Sequence, residues 1–95
     1  MAREPIHPGE ILADELTELG FSAAELARKI KVPANRISQI ISGKRSITAN
    51  TALRLGKCFG TGPKIWLNLQ QAYDLDLAKI QLAKDLKDIK PCEAA

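Results

Sequence analysis

SAAELARKIKVPANRISQIISG, residues 22–43, divides into two short apolar-periodic stretches around a prolyl turn. Ser22 and Glu25 have the spacing of a capping box, in which the serine hydroxyl accepts from the Glu25 amide and the glutamate accepts from the serine amide. A helix from Ala23 to about Ile30 follows, with Leu26, Ala27 and Ile30 turned inward. Pro33 presets the first turn of the next helix, and Gly43 supplies the left-handed residue that commonly ends one. Ile37, Ile40 and Ile41 make its inward stripe. At roughly 100° per residue, Asn35, Gln39 and Ser42 then point away from the core, with Arg36 and Ser38 on the two flanks. That outer face has amides and hydroxyls, little bulk and no acid.

The same punctuation extends in both directions. Pro8 opens a helix in which Leu12, Leu16 and Leu19 recur at spacings of four and three, closed by Gly20. Thr48 is placed to N-cap a fourth helix carrying Ala52, Leu53, Leu55 and Phe59, which stops near Gly60. Thr61 and Pro63 open a longer element with Ile65, Trp66, Leu69 and Tyr73 on one side. A second stripe, Leu75, Ala78, Leu82, Leu86 and Ile89, keeps helical spacing but falls out of phase with the first, which predicts a kink or short break near Asp74. Pro91 is expected to end the helical part. With no strand pattern, the fold class is all-α: a five-helix domain over residues 1–75, with the paired helices at about 23–42. Residues 76–95 form a C-terminal helical extension, for dimerisation or left partly mobile.

Composition narrows the function. Ninety-five residues suit one domain with a modest core. No apolar run approaches the roughly 20 residues needed to cross a membrane, and MAREPIHPGE has no signal-peptide stretch, so a cytoplasmic protein is expected. Cys58 and Cys92 fit that compartment as reduced thiols, and with a single histidine they cannot supply a four-ligand zinc site. No nucleophile–base pair, phosphate-cradling glycine loop or metal cluster can be assembled, so neither enzymatic activity nor a cofactor is expected.

The net charge of +3 conceals its distribution. Residues 1–25 hold one basic and six acidic side chains, whereas residues 26–64 hold nine basic ones and no acid. Such a block is the footprint expected of a polyanion-binding surface. Because helix two is short, only about three residues join it to helix three, and Ala27 permits a close crossing, the pair reads as a helix-turn-helix, whose second helix enters the major groove. Asn35, Arg36, Ser38 and Gln39 are then the candidates for base edges. Lys44, Arg45 and the helix N-termini at Ser22 and Ala34 are the candidates for phosphates. Arg54, Lys57 and Lys64 are assigned only long-range attraction.

From His7 to about Leu75 the chain resembles the HigA/VapI branch of the Xre-type helix-turn-helix proteins, relatives of the phage repressor and Cro domains. The likeness rests on HPGEILADEL at 7–16, AAELARKIKVPANRISQIISGKRSIT at 23–48, ALRLGKCFGT at 52–61 and PKIWLNLQQAYDL at 63–75. The HPGEIL opening and the WLNLQQAYDL block are specific to the branch. The resemblance implies a dimer that binds a palindromic operator and, in many members, neutralises a HigB-type toxin that cleaves mRNA. A stand-alone repressor without a toxin and a protein- or RNA-interaction module remain the alternatives. Two positions depart from the family pattern: Lys31 stands where glycine is usual and Pro33 where serine is frequent.

Two further groups are candidates. Glu10, Asp14 and Glu18, four apart on helix one, form an acidic stripe that is either a solvated face or the surface for a basic toxin. Trp66, Leu69 and Tyr73 have the spacing of core or dimer packing rather than of base-stacking platforms.

Overall fold

A computed structural model describes residues 4–92, so the ends of the two expected segments, residues 1–3 and 93–95, lie outside the described residues. The described chain is all helical: α1 Pro8–Leu19, α2 Ala23–Ile30, α3 Ala34–Ile41, α4 Ala49–Phe59, α5 Lys64–Gln81 and α6 Ala83–Asp88. Leu12, Leu26, Ile37, Ile40, Ala52 and Leu55 are fully buried where these helices meet, and Trp66 closes the core from α5.

The helix ends follow from local chemistry. At the start of α1, His7 Nδ1 accepts from the Gly9 amide at 2.9 Å and Pro8 occupies the first turn. Position 9 has to be glycine for a reason outside α1: a β-carbon there would run into the Ile40 carbonyl at the end of α3. The HPG triplet therefore caps α1 and sets it against α3. At the other end, Gly20 adopts φ 73°, and Phe21 N–H donates to Leu16 O at 2.9 Å, closing a Schellman turn.

The α2–α3 turn has the same form with a different residue. Lys31 sits at φ 62°, ψ 49°, the one non-glycine residue of positive φ among those described, and Val32 N–H donates to Ala27 O at 3.0 Å. The Schellman geometry is retained in full; lysine bears a strain of about 1–2 kcal/mol that glycine would not. Pro33 lies at the N-cap rather than inside the first turn, with φ −61° and ψ 145° and no side-chain cap. With no side-chain acceptor at this position, the Arg36 amide turns back to the Pro33 carbonyl at 3.0 Å.

The C-terminal half corrects one expectation. No break occurs near Asp74: α5 runs through it to Gln81, and the interruption falls at Leu82, with φ −102° and ψ 8°. Asp74 Oδ1 accepts from Gln70 Nε2 one turn earlier at 3.0 Å, an i,i+4 pair that supports the helix. The two apolar stripes differ in phase because they face different surroundings. Of the first, Trp66 and Leu69 pack on the core while Ile65 is exposed, and Leu75, Ile80, Leu82, Leu86 and Ile89 are exposed beyond it. The helical part ends at Asp88, with Ile89 already extended two residues before Pro91.

Candidate nucleic-acid interface

The core fixes α3 by one side only. Ile37 and Ile40 are fully buried, while Asn35 and Ser38 are exposed and Gln39 is half-buried. Ser38 Oγ donates to Asn35 O at 3.2 Å and Ser42 Oγ to Gln39 O at 3.1 Å, so both hydroxyls lie back along the helix and keep lone pairs for an incoming partner. At the start of α2, Ser22 Oγ accepts from Glu25 N–H at 3.1 Å and Glu25 Oε1 from Ser22 N–H at 3.0 Å, as the capping box predicts. The Ser22 backbone amide first, and the Ser22 hydroxyl after it, hold the Glu25 carboxyl below its ordinary value of 4.5.

After α3 the chain turns at Gly43, whose φ is 79°, with Gly43 N–H donating to Ile40 O and Lys44 N–H to Gln39 O at 2.8 Å. Lys44, Arg45 and Ser46 follow on the surface, and Ile47 turns inward. What holds this loop comes from α5: Ile47 N–H donates to the buried Gln70 Oε1 at 2.8 Å. Gln70 in turn donates to Asp74, and one turn away Tyr73 meets the His7 ring edge-on at 4.9 Å between centroids. Burial holds the His7 imidazole below its ordinary value of 6.5, against the opposing pull of Asp74 and Glu10. The two branch-specific motifs thus touch each other, and the second of them anchors the loop that carries Lys44 and Arg45.

The nine cations of residues 26–64 are not equivalent. Arg54, assigned only long-range attraction from sequence, is structural: its Nη1 donates to Ile30 O at 2.9 Å and to Lys31 O at 3.3 Å, capping the C-terminus of α2. With Lys29, Lys31 and Lys57 it borders a cleft of about 440 Å³ floored by Ile30, Leu53 and Cys58. Arg36 and Arg45 border another, of about 410 Å³, with Ser46, Thr48, Asn50 and Thr51. Sequence reasoning missed Gln70, Asn50 and Arg54. Only Gln70 left a signal, as a polar residue one turn from Trp66 on the inward side of α5.

Glu10, Asp14 and Glu18 are all exposed on α1. Trp66 is 4% exposed and lies 5.7 Å from the Phe59 ring, so it is a core residue and unavailable for stacking on bases. Leu69 and Tyr73 are half-buried. Among the described residues no group of His, Cys, Asp and Glu could hold a metal ion, and no helix is long and apolar enough to cross a membrane.

A family model described as helix-turn-helix matches residues 12–66, which spans α1 to the start of α5. The chain is an Xre-type helix-turn-helix protein. This helix-turn-helix chain is 51% identical over 75 residues to virulence-associated protein I of Dichelobacter nodosus, a match covering 78% of this chain and 69% of that protein. Its structural neighbours include an addiction module antidote protein of a HigA family from Coxiella burnetii, with a TM-score of 0.92 and 52% identity over 95% of this chain and all of that one. Another is the Pseudomonas aeruginosa antitoxin HigA with higBA promoter, with a TM-score of 0.90 and 43% identity over 95% and 100% of the two chains. The HigA/VapI resemblance read from the motifs is therefore the right branch.

Proposed function

We propose that this protein is a dimeric, sequence-specific repressor and the antitoxin of a HigBA-type pair, binding a palindromic operator and neutralising an mRNA-cleaving toxin. The observation that carries the reading is the state of α3: anchored by Ile37 and Ile40, uncapped at Pro33, and free of acid on its outer face. Asn35, Ser38 and Gln39 serve base edges, where a good bidentate contact is worth roughly 1–3 kcal/mol of discrimination. Ser22, Ala34, Lys44 and Arg45 hold phosphates and fix register. The P. aeruginosa HigA with its promoter supports the same use of this fold.

The dimer is built from the C-terminal segment, where Leu75 and Ile80 of α5, Leu82 at the break, Leu86 of α6 and Ile89 after it leave more apolar surface exposed than a monomer ordinarily does. Two recognition helices would then stand about 34 Å apart, one turn of DNA. The acidic stripe of Glu10, Asp14 and Glu18 is assigned to the toxin because a protein that cleaves RNA is expected to be basic.

The experiment is a titration of the purified protein against duplex DNA from its own upstream region and a scrambled control at several salt concentrations, beside an Asn35→Ala/Gln39→Ala variant. Preference for the native duplex, lost in the variant with the salt slope kept, is the expected result. Equal binding of both duplexes by both proteins overturns it. Reversing the charge of Glu10 and Asp14 should weaken toxin binding and spare DNA; unchanged toxin affinity removes the stripe from the mechanism.

A further inference from the structure

The sequence groups Arg36 with Asn35, Ser38 and Gln39, yet its side chain does not stay with them. Arg36 Nη1 donates to Asn50 Oδ1 at 3.1 Å, a bond that reaches from α3 to the first turn of α4. The same Asn50 oxygen accepts from Arg54 Nε at 2.9 Å, and Arg54 is itself fastened to the Ile30 and Lys31 carbonyls. Asn50 therefore sits between two guanidiniums, one immobilised by the end of α2 and the other drawn off the outer face of α3. Arg36 Nε is buried without a hydrogen-bond partner, so this position is not the one that satisfies the guanidinium best within the protein alone. Held in this way, Arg36 borders the cleft of about 410 Å³ that also contains Arg45, Ser46 and Thr48, with no carboxylate among its lining residues.

We infer that Asn50 is a positioning residue that turns Arg36 from base reading to phosphate binding, so that Arg36 and Arg45 grip one phosphate group of the DNA backbone from the two sides of this cleft. The inference rests on the operator reading above and refines it. Two guanidiniums facing a concave, acid-free, hydroxyl-lined space are matched to a tetrahedral oxyanion, since each can offer paired N–H donors in fixed geometry. Without the Asn50 acceptor, the flexible Arg36 side chain would sample the groove as well as the rim. Its contribution to affinity would then be spread over several orientations. Base discrimination in this arrangement falls to Asn35, Ser38 and Gln39.

The test measures affinity against salt for the full-length wild type, Arg36→Ala, Asn50→Ala and the double variant, on the footprinted upstream duplex and on a panel with each base pair replaced in turn. Arg36→Ala is expected to weaken every duplex by a similar factor and to reduce the salt slope by about 0.9 per protomer bound, the signature of one lost phosphate contact. Asn50→Ala should move affinity and slope in the same direction, and the double variant should be no weaker than Arg36→Ala alone. A merely structural Asn50 would lower the melting temperature and leave the slope of the folded protein untouched, which would overturn the inference. So would an Arg36→Ala protein that keeps its slope and loses preference at a single base pair. A wild type that binds every duplex alike would instead refute the operator reading, and the slopes of the variants would still decide the role of Arg36 and Asn50.

Discussion

Gln70→Leu tests the link between α5 and the loop that carries Lys44 and Arg45. Gln70 is 6% exposed and its Oε1 is the one acceptor that the Ile47 amide finds among the described residues, with Ile47 itself 2% exposed. Leucine fills a similar volume but accepts nothing, so the Ile47 N–H is left buried and unpaired. That costs roughly 1–3 kcal/mol. For a domain of this size each kcal/mol lowers the melting temperature by about 4–8 °C, so a central loss near 2 kcal/mol corresponds to a drop of roughly 8–16 °C.

The second consequence is local. Ile47 is the point at which residues 44–47 are tied to α5, so the variant should lose amide-exchange protection at Ile47 and bind DNA more weakly through a less ordered Lys44 and Arg45. The assays are thermal unfolding by circular dichroism at fixed protein concentration, residue-resolved hydrogen exchange, and the DNA titration at a temperature well below the transition. Asp74→Asn is the control, because it keeps the Oδ1 that accepts from Gln70 Nε2 and should change little. If Gln70→Leu melts within about 2 °C of the wild type with Ile47 still protected, the argument that Gln70 holds the loop is wrong.

Three other substitutions probe the frame that presents α3. Lys31→Gly should be more stable than Lys31→Ala by about 1 kcal/mol, since both lose the charge near the C-terminus of α2 and only alanine keeps the left-handed strain at φ 62°; equal urea midpoints would contradict this. Gly9→Ala must force α1 away from the Ile40 carbonyl, at a cost on the order of 1–3 kcal/mol with reduced DNA affinity; unchanged melting and binding would show that the approach of α1 to α3 is slack. For His7 the sign is set by burial, which lowers the folded-state pKa below 6.5, so the unfolded chain takes up more protons as pH falls. Its stabilising contribution is complete above about pH 6.5 and is lost as pH drops from there through the lowered folded value. His7→Asn, which keeps a cap acceptor and does not titrate, should remove that loss between pH 7.5 and 5.5, a range above the window of Glu25; parallel pH curves for the two proteins would rule out His7 as the group responsible.

The helices and most of their inward faces were legible because each rests on short-range rules, although Leu19, Leu53 and Ile65, which belong to the apolar stripes, are exposed. The Ser22–Glu25 box, the glycines at 20 and 43, and the isoleucine stripe of α3 all act within a few residues, and every one stands where the spacing put it. The break expected near Asp74 failed for a related reason. A change of phase in an apolar pattern was read as a bend, on the assumption that both stripes must meet the same core. They do not: one stripe ends at Tyr73 against His7, and the next faces outward on α5 and α6, so a straight helix serves both.

The illegible part is made of polar contacts distant in sequence. Arg54 is bonded 24 residues away to Ile30, Gln70 23 residues away to Ile47, and Arg36 14 residues away to Asn50. A charge count cannot separate an arginine that caps a helix from one that meets a polyanion, because the distinction lies in which acceptors the fold brings within about 3 Å. For the same reason the +9 block overstates the DNA-facing charge. Arg54 is committed to the α2 carbonyls and Lys29 lies over the Phe21 ring at 4.9 Å, and of the other seven only Lys44, Arg45 and the tethered Arg36 belong to α3 or the loop that follows it. If the salt slope of binding counts phosphate contacts, it should reflect those three and the helix N-termini in each protomer rather than all nine basic residues, and a slope scaled to nine would mean that the cleft floored by Ile30 and Leu53 faces DNA as well.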